Sequence, residues 1–375
     1  MKLPVVGFYL YMPTDFEILI GSMIECKKQN IPIKVFLAEG IHLKIPDSIN
    51  RLKELGIFYL IDWNPFWLSR IRGRMGIPWP ALKGIDFLVT AVETNLAAHN
   101  LGHRITKKAR VSGIRSYTWQ HGFENVGINY KDSLSENVKF ASDKVLIWGK
   151  PSSLSSWLDL AERQKMISAG YPKIGSFQSP QKFDSDWQGF KIGVFENLHW
   201  HRYDENYRAQ FLKGIELLLR SDVSIKVYLK PHYSKLFKNR FQDLQKHFHT
   251  RFEIVDNELT QWKGIFTSEF IKGLDLVYTC PSTIALDASV IGKPVVVINT
   301  DLDLSLYKPL CLATSPQDWV SALNNWKKSS KAFQDLAAEF CQKTLAGSNG
   351  SEVFVQQLLQ DWSGKGGFGQ SNANR

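Results

Sequence analysis

Residues Tyr278–Ile298 read YTCPSTIALDASVIGKPVVVI, and this stretch predicts the fold more directly than any other part of the chain. It passes from the end of a strand through a small-residue turn into a short helix, and then through Gly-Lys-Pro into a β-branched strand. Ser282 and Thr283 stand where a helix N-cap belongs. Such a helix start binds anions such as phosphate, and open parallel sheets bind ligands at this edge. An ordinary capped helix is the alternative.

A second strand, Ile225–Leu229, alternates in polarity and is ended by Pro231, which cannot donate to a strand ladder. Lys230 and His232 are therefore expected at the carboxyl end of this strand. A cation and an imidazole at that edge suit the oxygens of a pyrophosphate. The alternative for His232 is a solvated loop histidine.

A third strand, Arg115–Trp119, is followed by a Gln-His-Gly turn in which Gly122 permits a sharp reversal. We predict that this turn presents His121, whose near-neutral pKa suits proton abstraction from a hydroxyl group. Glu124 and Glu93 compete for the same task. A histidine that only bonds the backbone and closes the turn is the structural alternative.

In this order, Gln-His-Gly, Lys-Pro-His and Pro-Ser-Thr with the acidic helix residue Asp287 resemble a known superfamily. They look like the capsule and wall-polymer transferases, which include CDP-glycerol glycerophosphotransferase-like and polysialyltransferase-like enzymes of the GT-B fold. The resemblance spans residues 85–300. It implies that His121 is the catalytic base, that His232 contacts the donor phosphate, and that the Ser282 and Thr283 hydroxyls bind that phosphate.

The chain departs from the glycerophosphotransferase pattern at three places. Gln120 stands where a Trp is common, Cys280-Pro281 precedes the Ser-Thr pair, and Tyr233 replaces a Pro. These departures concern the identity of the donor more than the fold.

Strands and helices alternate along the chain, which predicts an α/β fold with two Rossmann-like doubly wound domains facing a cleft, the GT-B arrangement. We predict an acceptor-side domain over residues 1–175 and a nucleotide-donor-binding domain over 176–345. A helix over 346–363 is expected to cross back to the first domain. The Gly-, Ser- and Asn-rich residues 364–375 are expected to form a disordered tail.

Composition narrows the class of protein. A net charge of +10 across 375 residues implies an anionic partner. No nucleic-acid motif accompanies the scattered basic residues, so nucleic acid is not expected. Four dispersed cysteines without a CxxC indicate neither a disulfide framework nor zinc, and the absence of a secretory signal predicts a cytoplasmic protein. Without a GxGxxG motif, no cofactor is expected.

No metal is expected either. His199, His201 and Asp204 match no metal motif. Asp301 and Asp303 are the alternative carboxylate pair that could bind a metal, but we interpret them as a solvated turn. A helix start and cationic side chains already serve the donor phosphates, so activity should survive EDTA.

The segment Trp63–Pro80 combines four aromatic residues with three arginines. It fits either a loop whose aromatic rings pack into the core or a peripheral contact with an anionic membrane at the inner face of the plasma membrane.

Together these features predict a metal-independent glycosyltransferase that moves a sugar, or a polyol phosphate, from a nucleotide-activated donor to a surface-polysaccharide or lipid-linked glycan acceptor. Two alternatives remain open: a nucleotide-sugar epimerase of the same fold, and a non-catalytic glycan- or nucleotide-binding relative.

Overall fold

The computed structural model describes residues 2–62, 82–130, 138–173, 186–199, 203–232, 238–256, 262, 265–299 and 302–365. The chain divides into two compact units. The first contains Met1–Ile174 together with Thr344–Arg375, and the second contains Gly175–Lys343. Each unit is built on its own parallel sheet, as expected for two doubly wound α/β domains.

The first unit has a seven-stranded sheet in the order β3-β2-β1-β4-β5-β6-β7, and every neighbouring pair is parallel. Its strands are β1 (Val6–Leu10), β2 (Ile33–Ala38), β3 (Tyr59–Asp62), β4 (Phe87–Thr90), β5 (Arg115–Trp119), β6 (Lys144–Ile147) and β7 (Met166–Ser168). Its helices begin with α1 (Asp15–Lys28), α2 (Ile41–Lys44), α3 (Pro46–Glu54), α4 (Asn100–Val111) and α5 (Leu160–Arg163). β1 and β4 are wholly buried, as expected for strands covered on both faces.

The second unit has a six-stranded parallel sheet in the order β10-β9-β8-β11-β12-β13. Its strands are β8 (Phe190–Phe195), β9 (Ile225–Lys230), β10 (Phe252–Ile254), β11 (Leu276–Thr279), β12 (Val295–Ile298) and β13 (Cys311–Ala313). Its helices are α6 (Glu205–Ser221), α7 (Gln242–His247), α8 (Thr267–Lys272), α9 (Thr283–Val290), α10 (Pro316–Lys328) and α11 (Ser330–Thr344). Residues from helices and strands together form one hydrophobic core in this unit, with Trp319 of α10 fully buried against Tyr278.

The last helix, α12 (Gly350–Lys365), packs within the first unit. Phe354 lies edge-on to Tyr117 at 5.6 Å between ring centres and also contacts the rings of Phe8 and Trp119. Gly350 begins the helix where a Cβ atom would come within 2.7 Å of the carbonyl oxygen of Tyr171, so a side chain has no room there.

Several elements differ from the sequence-based expectation. The alternation of strands and helices predicts one helix between β4 and β5, but α4 starts only after a separate 3₁₀ turn, Ala97–His99. The Thr94 hydroxyl accepts a hydrogen bond from the N–H of Leu96 and lies 2.7 Å from the ring of His99, which holds the chain out of helical geometry here. The short elements β7, β13 and α8 were not predicted, because three to six residues carry too little periodicity. Residues 366–375 of the predicted tail, and residues 174–185 around the predicted boundary between the domains, lie outside the described residues.

Candidate functional site

The order of strands in the second sheet reverses between β8 and β11, which makes this position the switch point of the sheet. Of the residues predicted from the sequence, Ser282 and Thr283 follow β11, and Lys230 and His232 lie at the end of β9. β11 ends at Thr279 and leads through Cys280-Pro281 into α9, while β8 ends at Phe195 and is followed by Glu196. In parallel α/β sheets this crevice beyond the carboxyl ends of the strands is the usual ligand-binding place.

Ser282 caps α9 as predicted. Its backbone is extended, and its hydroxyl oxygen accepts a hydrogen bond from the N–H of Ile284 at 3.3 Å. The Thr279 hydroxyl lies 3.0 Å from the Ser282 hydroxyl and holds it in place. Thr283 is the first residue of the helix, and both side chains are partly exposed. The start of α9 therefore offers hydroxyl and N–H groups with a positive dipole end.

Asp287, the acidic residue on α9, lies inside the unit, with 4% of its surface exposed. It is separated from the helix start by one turn. The structure thus places it near the sequence-predicted hydroxyls along the chain but does not leave its carboxylate on the surface.

Lys230 and His232 lie at the end of β9, which neighbours β8. The Lys230 ammonium stands 5.7 Å above the ring of Phe270. The buried carboxylate of Glu196 accepts hydrogen bonds from the N–H groups of His232 (3.0 Å) and Leu198, which ties the loop after β9 to the loop after β8.

His199 stacks on His232 with ring centres 3.7 Å apart and an interplanar angle of 18°. Burial, with a smaller contribution from His199, lowers the pKa of His232 to about 3. At neutral pH His232 is therefore an uncharged imidazole, which can serve as a neutral hydrogen-bonding group but not as a cation. The sequence marked the loop that carries His199 but did not indicate this pairing.

In the first unit, His121 follows β5 at the carboxyl edge of the sheet. Gly122 is not among the glycines with positive φ, so the turn after β5 does not use the left-handed conformation that glycine allows. The turn is held instead by the Gln120 amide, whose nitrogen donates to the carbonyl of Gly122 at 2.8 Å and whose oxygen accepts from the N–H of Trp148 at 2.9 Å.

The His121 ring lies 6.4 Å from the ring of His99. Burial, with smaller contributions from the nearby His99 and Lys173, lowers the pKa of His121 to about 3. Its Nδ1 atom has no hydrogen-bond partner among the described residues. A neutral imidazole with one unengaged nitrogen is able to accept a proton.

Of the two carboxylates that compete with His121, Glu93 is fully committed to structure. It is 1% exposed and accepts hydrogen bonds from the ring of His103 (2.7 Å) and the N–H groups of Ala141 (3.0 Å) and Ser142 (2.6 Å). A carboxylate held in this way is not available as a base. Glu124, by contrast, is partly exposed and lies in the same turn as His121.

Asp15 is a further ionisable group at this edge that the sequence analysis did not single out. It begins α1 directly beyond β1, is fully buried, and its Oδ2 atom accepts hydrogen bonds from the N–H groups of Tyr11 and Met12, both at 2.8 Å. Burial raises its pKa to about 7. The sequence feature that could have identified Asp15 is its position between a strand and the helix that follows it. Ser282 occupies the corresponding position in the other unit.

Two of the earlier expectations fall on residues that the structure does not describe. One is the membrane or core-loop interpretation of the segment Trp63–Pro80. The other is the assignment of the metal-site candidates, because Asp301 and His201 are not described. Within the described part of the chain, no three His, Cys, Asp or Glu side chains converge as metal ligands. None of the described helices has the length and apolar character needed to span a membrane.

No protein-family model and no curated protein sequence matches the chain. Solved structures match over nearly its full length. A putative UDP-N-acetylglucosamine 2-epimerase from Listeria monocytogenes has a TM-score of 0.68 and 11% identity, covering 99% of this chain and 98% of its own. MnaA of S. aureus with UDP has a TM-score of 0.66 and 13% identity, covering 96% of this chain and 97% of its own. UDP-GlcNAc 2-epimerase from Neisseria meningitidis bound to UDP-GlcNAc has a TM-score of 0.64 and 12% identity, covering 95% of this chain and 99% of its own.

These matches establish a two-domain, GT-B-like fold, while membership of the capsule and wall-polymer transferases has no support from a family model. The prediction of a glycosyltransferase is wrong: several of the structures that are similar over nearly the whole chain are UDP-GlcNAc 2-epimerases, and they favour the alternative, a nucleotide-sugar epimerase of the same fold.

Proposed function

We propose that the protein is an enzyme that epimerises a nucleotide-activated sugar and needs no acceptor. The observation that carries the proposal is the start of α9, where Ser282 and Thr283 offer hydroxyl and N–H groups at the switch point of a parallel sheet. Similar structures with UDP or UDP-GlcNAc bound support the choice of ligand class. The glycan acceptor predicted from the sequence has no part in this reaction.

In this proposal the second unit binds the nucleotide. The helix start receives the pyrophosphate, Lys230 supplies a positive charge, and neutral His232 donates or accepts a hydrogen bond. Asp287, buried one turn into α9, is assigned to the same binding unit. These groups neutralise the diphosphate without a metal, so the reaction should persist in EDTA.

The first unit is assigned the proton transfer. The step that we assign to it inverts the carbon next to the anomeric carbon: a base takes the proton, the C–H electron pair forms a double bond to the anomeric carbon, and the nucleoside diphosphate leaves. The diphosphate then adds back to the anomeric carbon while a proton is delivered to the opposite face of the neighbouring carbon. We assign the acceptance of this proton to neutral His121, whose Nδ1 atom has no hydrogen-bond partner among the described residues. Glu124, in the same turn, is the second group that we assign to this step.

The proposal also places the protein in the cytoplasm. All four cysteines are free, with Cys26 and Cys280 buried, as expected in a reducing compartment.

Incubation with a panel of UDP-, CDP-, CMP- and GDP-sugars in D₂O, without any acceptor, tests the function. The expected result is an isomerised nucleotide sugar that carries deuterium at the inverted carbon, seen by NMR. Release of nucleotide only when a glycan acceptor is added would contradict the proposal. Binding without any turnover would instead indicate a non-catalytic nucleotide-binding protein.

A further inference from the structure

The edge of the first sheet where its strands begin is strongly basic and carries no part of the proposed reaction. Lys2 precedes β1, Lys83 precedes β4, and the last turn of α4 lies just before β5, so all three lie at this edge. α12 also ends here, because the Trp362 ring N–H donates to the carbonyl of Lys2 at 2.9 Å. We call this the basal edge; it is opposite the edge that carries His121.

Helix α4 is amphipathic and its outer face is basic. Leu101, Ile105 and Ala109 pack into the core at helical spacing. The exposed positions of its last turns are Lys107, Lys108 and Arg110. The sequence has no acidic residue between Glu93 and Glu124, so no acidic side chain of this helix offsets these charges.

Three acidic side chains at the basal edge are engaged inside the unit, whereas Glu25 and Glu54, near the ends of α1 and α3, pair with Lys28 and Arg51. Asp86 accepts a hydrogen bond from the N–H of Val5 at 2.8 Å, and Asp143 accepts from the N–H and hydroxyl of Ser116. Asp361 of α12 holds the ammonium of Lys144 with both carboxylate oxygens, at 2.8 and 2.7 Å. The negative charges of Asp86, Asp143 and Asp361 are thus directed inward, while the cations of α4 face solvent.

The charge of the chain is correspondingly uneven. Residues 1–174 and 344–375 contain 25 Lys and Arg against 17 Asp and Glu, a net of +8, whereas residues 175–343 contain 21 against 19, a net of +2. The excess that gives the whole chain +10 therefore resides mainly in the first unit.

Apolar groups accompany these cations. Val111, at the end of α4, has 86% of its surface exposed. Between the first residues of the chain and the end of α12 there is an open depression of about 490 Å³, lined by Lys2, Leu3, Leu359 and Trp362 among others. Trp and Lys side chains beside exposed aliphatic groups are typical of surfaces that meet lipid headgroups.

We propose that the basal edge of the first unit docks on the surface of a bilayer that contains anionic lipid. The cations of α4 contact headgroup phosphates, Val111 and the depression at Trp362 receive apolar parts of the lipid, and the edge that carries His121 faces away from the bilayer. Cations on separate elements, accompanied by exposed apolar side chains, fit a planar lipid surface better than the backbone of a nucleic acid. This inference does not depend on the proposed function.

Vesicle co-sedimentation tests the proposal, with phosphatidylcholine vesicles compared with vesicles that also contain phosphatidylglycerol. The full chain should bind only the anionic vesicles, and less as salt rises. Each cation near an anionic leaflet strengthens binding about fivefold, so Lys107→Gln with Lys108→Gln and Arg110→Gln should weaken binding on the order of a hundredfold. Val111→Ser should weaken the binding that remains at high salt.

The matched control removes three exposed lysines from the second unit, as Lys213→Gln, Lys246→Gln and Lys331→Gln, with the same change in net charge. It should bind nearly as the unaltered chain does, and circular dichroism checks that both triple variants fold. Three results would overturn the proposal. They are equal binding to both vesicle types, an equal loss of vesicle binding in the two triple variants, and a loss of vesicle binding only when Arg70, Arg72 and Arg74 are replaced. Tighter binding to RNA or DNA than to anionic vesicles would also overturn it.

Discussion

The turn after β5 places two ionisable side chains, His121 and Glu124, at one edge of the first sheet. His121 remains uncharged at neutral pH because burial disfavours its charged form. A histidine with this property acts as a proton acceptor over the whole physiological range, although its affinity for the proton in the free enzyme is low.

We expect His121→Ala to lower kcat by roughly a hundredfold or more while nucleotide binding stays nearly unchanged. His232→Ala should do the reverse, weakening nucleotide binding by about three- to tenfold, because a neutral hydrogen bond contributes about 0.5–1.5 kcal/mol. Steady-state kinetics and calorimetric titration with UDP separate the two effects. Near-normal turnover of the His121 variant would transfer the role of base to Glu124.

Asp15 is a residue whose ionisation should be visible in stability. Its pKa is about 7 in the folded protein, above the ordinary value of 3.8, so its contribution is fully present below about pH 4 and is lost as pH rises through 7. Asp15→Asn removes this dependence. Relative to the unaltered protein, its free energy of unfolding should rise by a few kcal/mol between pH 4.5 and pH 8.

Urea unfolding at the two pH values measures this difference. Asp243→Asn, on the exposed face of α7, is the control. Its free energy of unfolding should differ from that of the unaltered protein by the same amount at both pH values. A constant difference for the Asp15 variant as well would mean that Asp15 stays ionised in the folded protein.

At the scale of an element, the start of α9 combines a structural cap with a candidate anion site. Ser282→Asp separates these two roles, because Asp is as good an N-cap as Ser but places a negative charge where a phosphate would bind. The melting temperature should therefore change little, while the affinity for UDP should fall at least tenfold.

Ser315 provides the matched control. It caps α10, and its hydroxyl accepts from the N–H of Asp318. Ser315→Asp should leave UDP affinity unaltered. Equal UDP affinity in the two variants would remove the anion site from α9.

At the scale of the molecule, the two units differ in how the chain builds them. The second is continuous, Gly175–Lys343, whereas the first is completed by the C-terminal helix α12. The second unit contains its own hydrophobic core, which includes Phe333 of α11. We therefore expect residues 175–343 to fold when expressed alone and to bind UDP, with Ser282→Asp abolishing that binding.

Residues 1–174 without α12 should not fold stably. Phe354, Val355 and Leu358 of α12 are fully buried, and removing the helix would expose the apolar surface that they cover. Circular dichroism and nucleotide titration of the two fragments check both expectations. A cooperatively folded fragment 1–174 would contradict this account of the first unit.

The sequence by itself determined the alternation of the longer strands and helices, the α/β class, and the three turns at which Ser282, His232 and His121 lie. These features are local, because a buried strand, a helix cap and a proline each act within a few residues. The same local signals could not distinguish a transferase from an epimerase, because the fold accommodates both chemistries and function depends on the site.

Only the tertiary structure decided which polar side chains are available for chemistry. Glu93 is engaged by Ala141 and Ser142, nearly fifty residues away, and Gln120 by Trp148, while His199 stacks on His232. The raised pKa of Asp15 likewise comes from burial by the whole unit. Contacts between distant residues form only when the sheet brings strand ends together, so the sequence identifies the residue types at an edge, and packing determines which of them remain reactive.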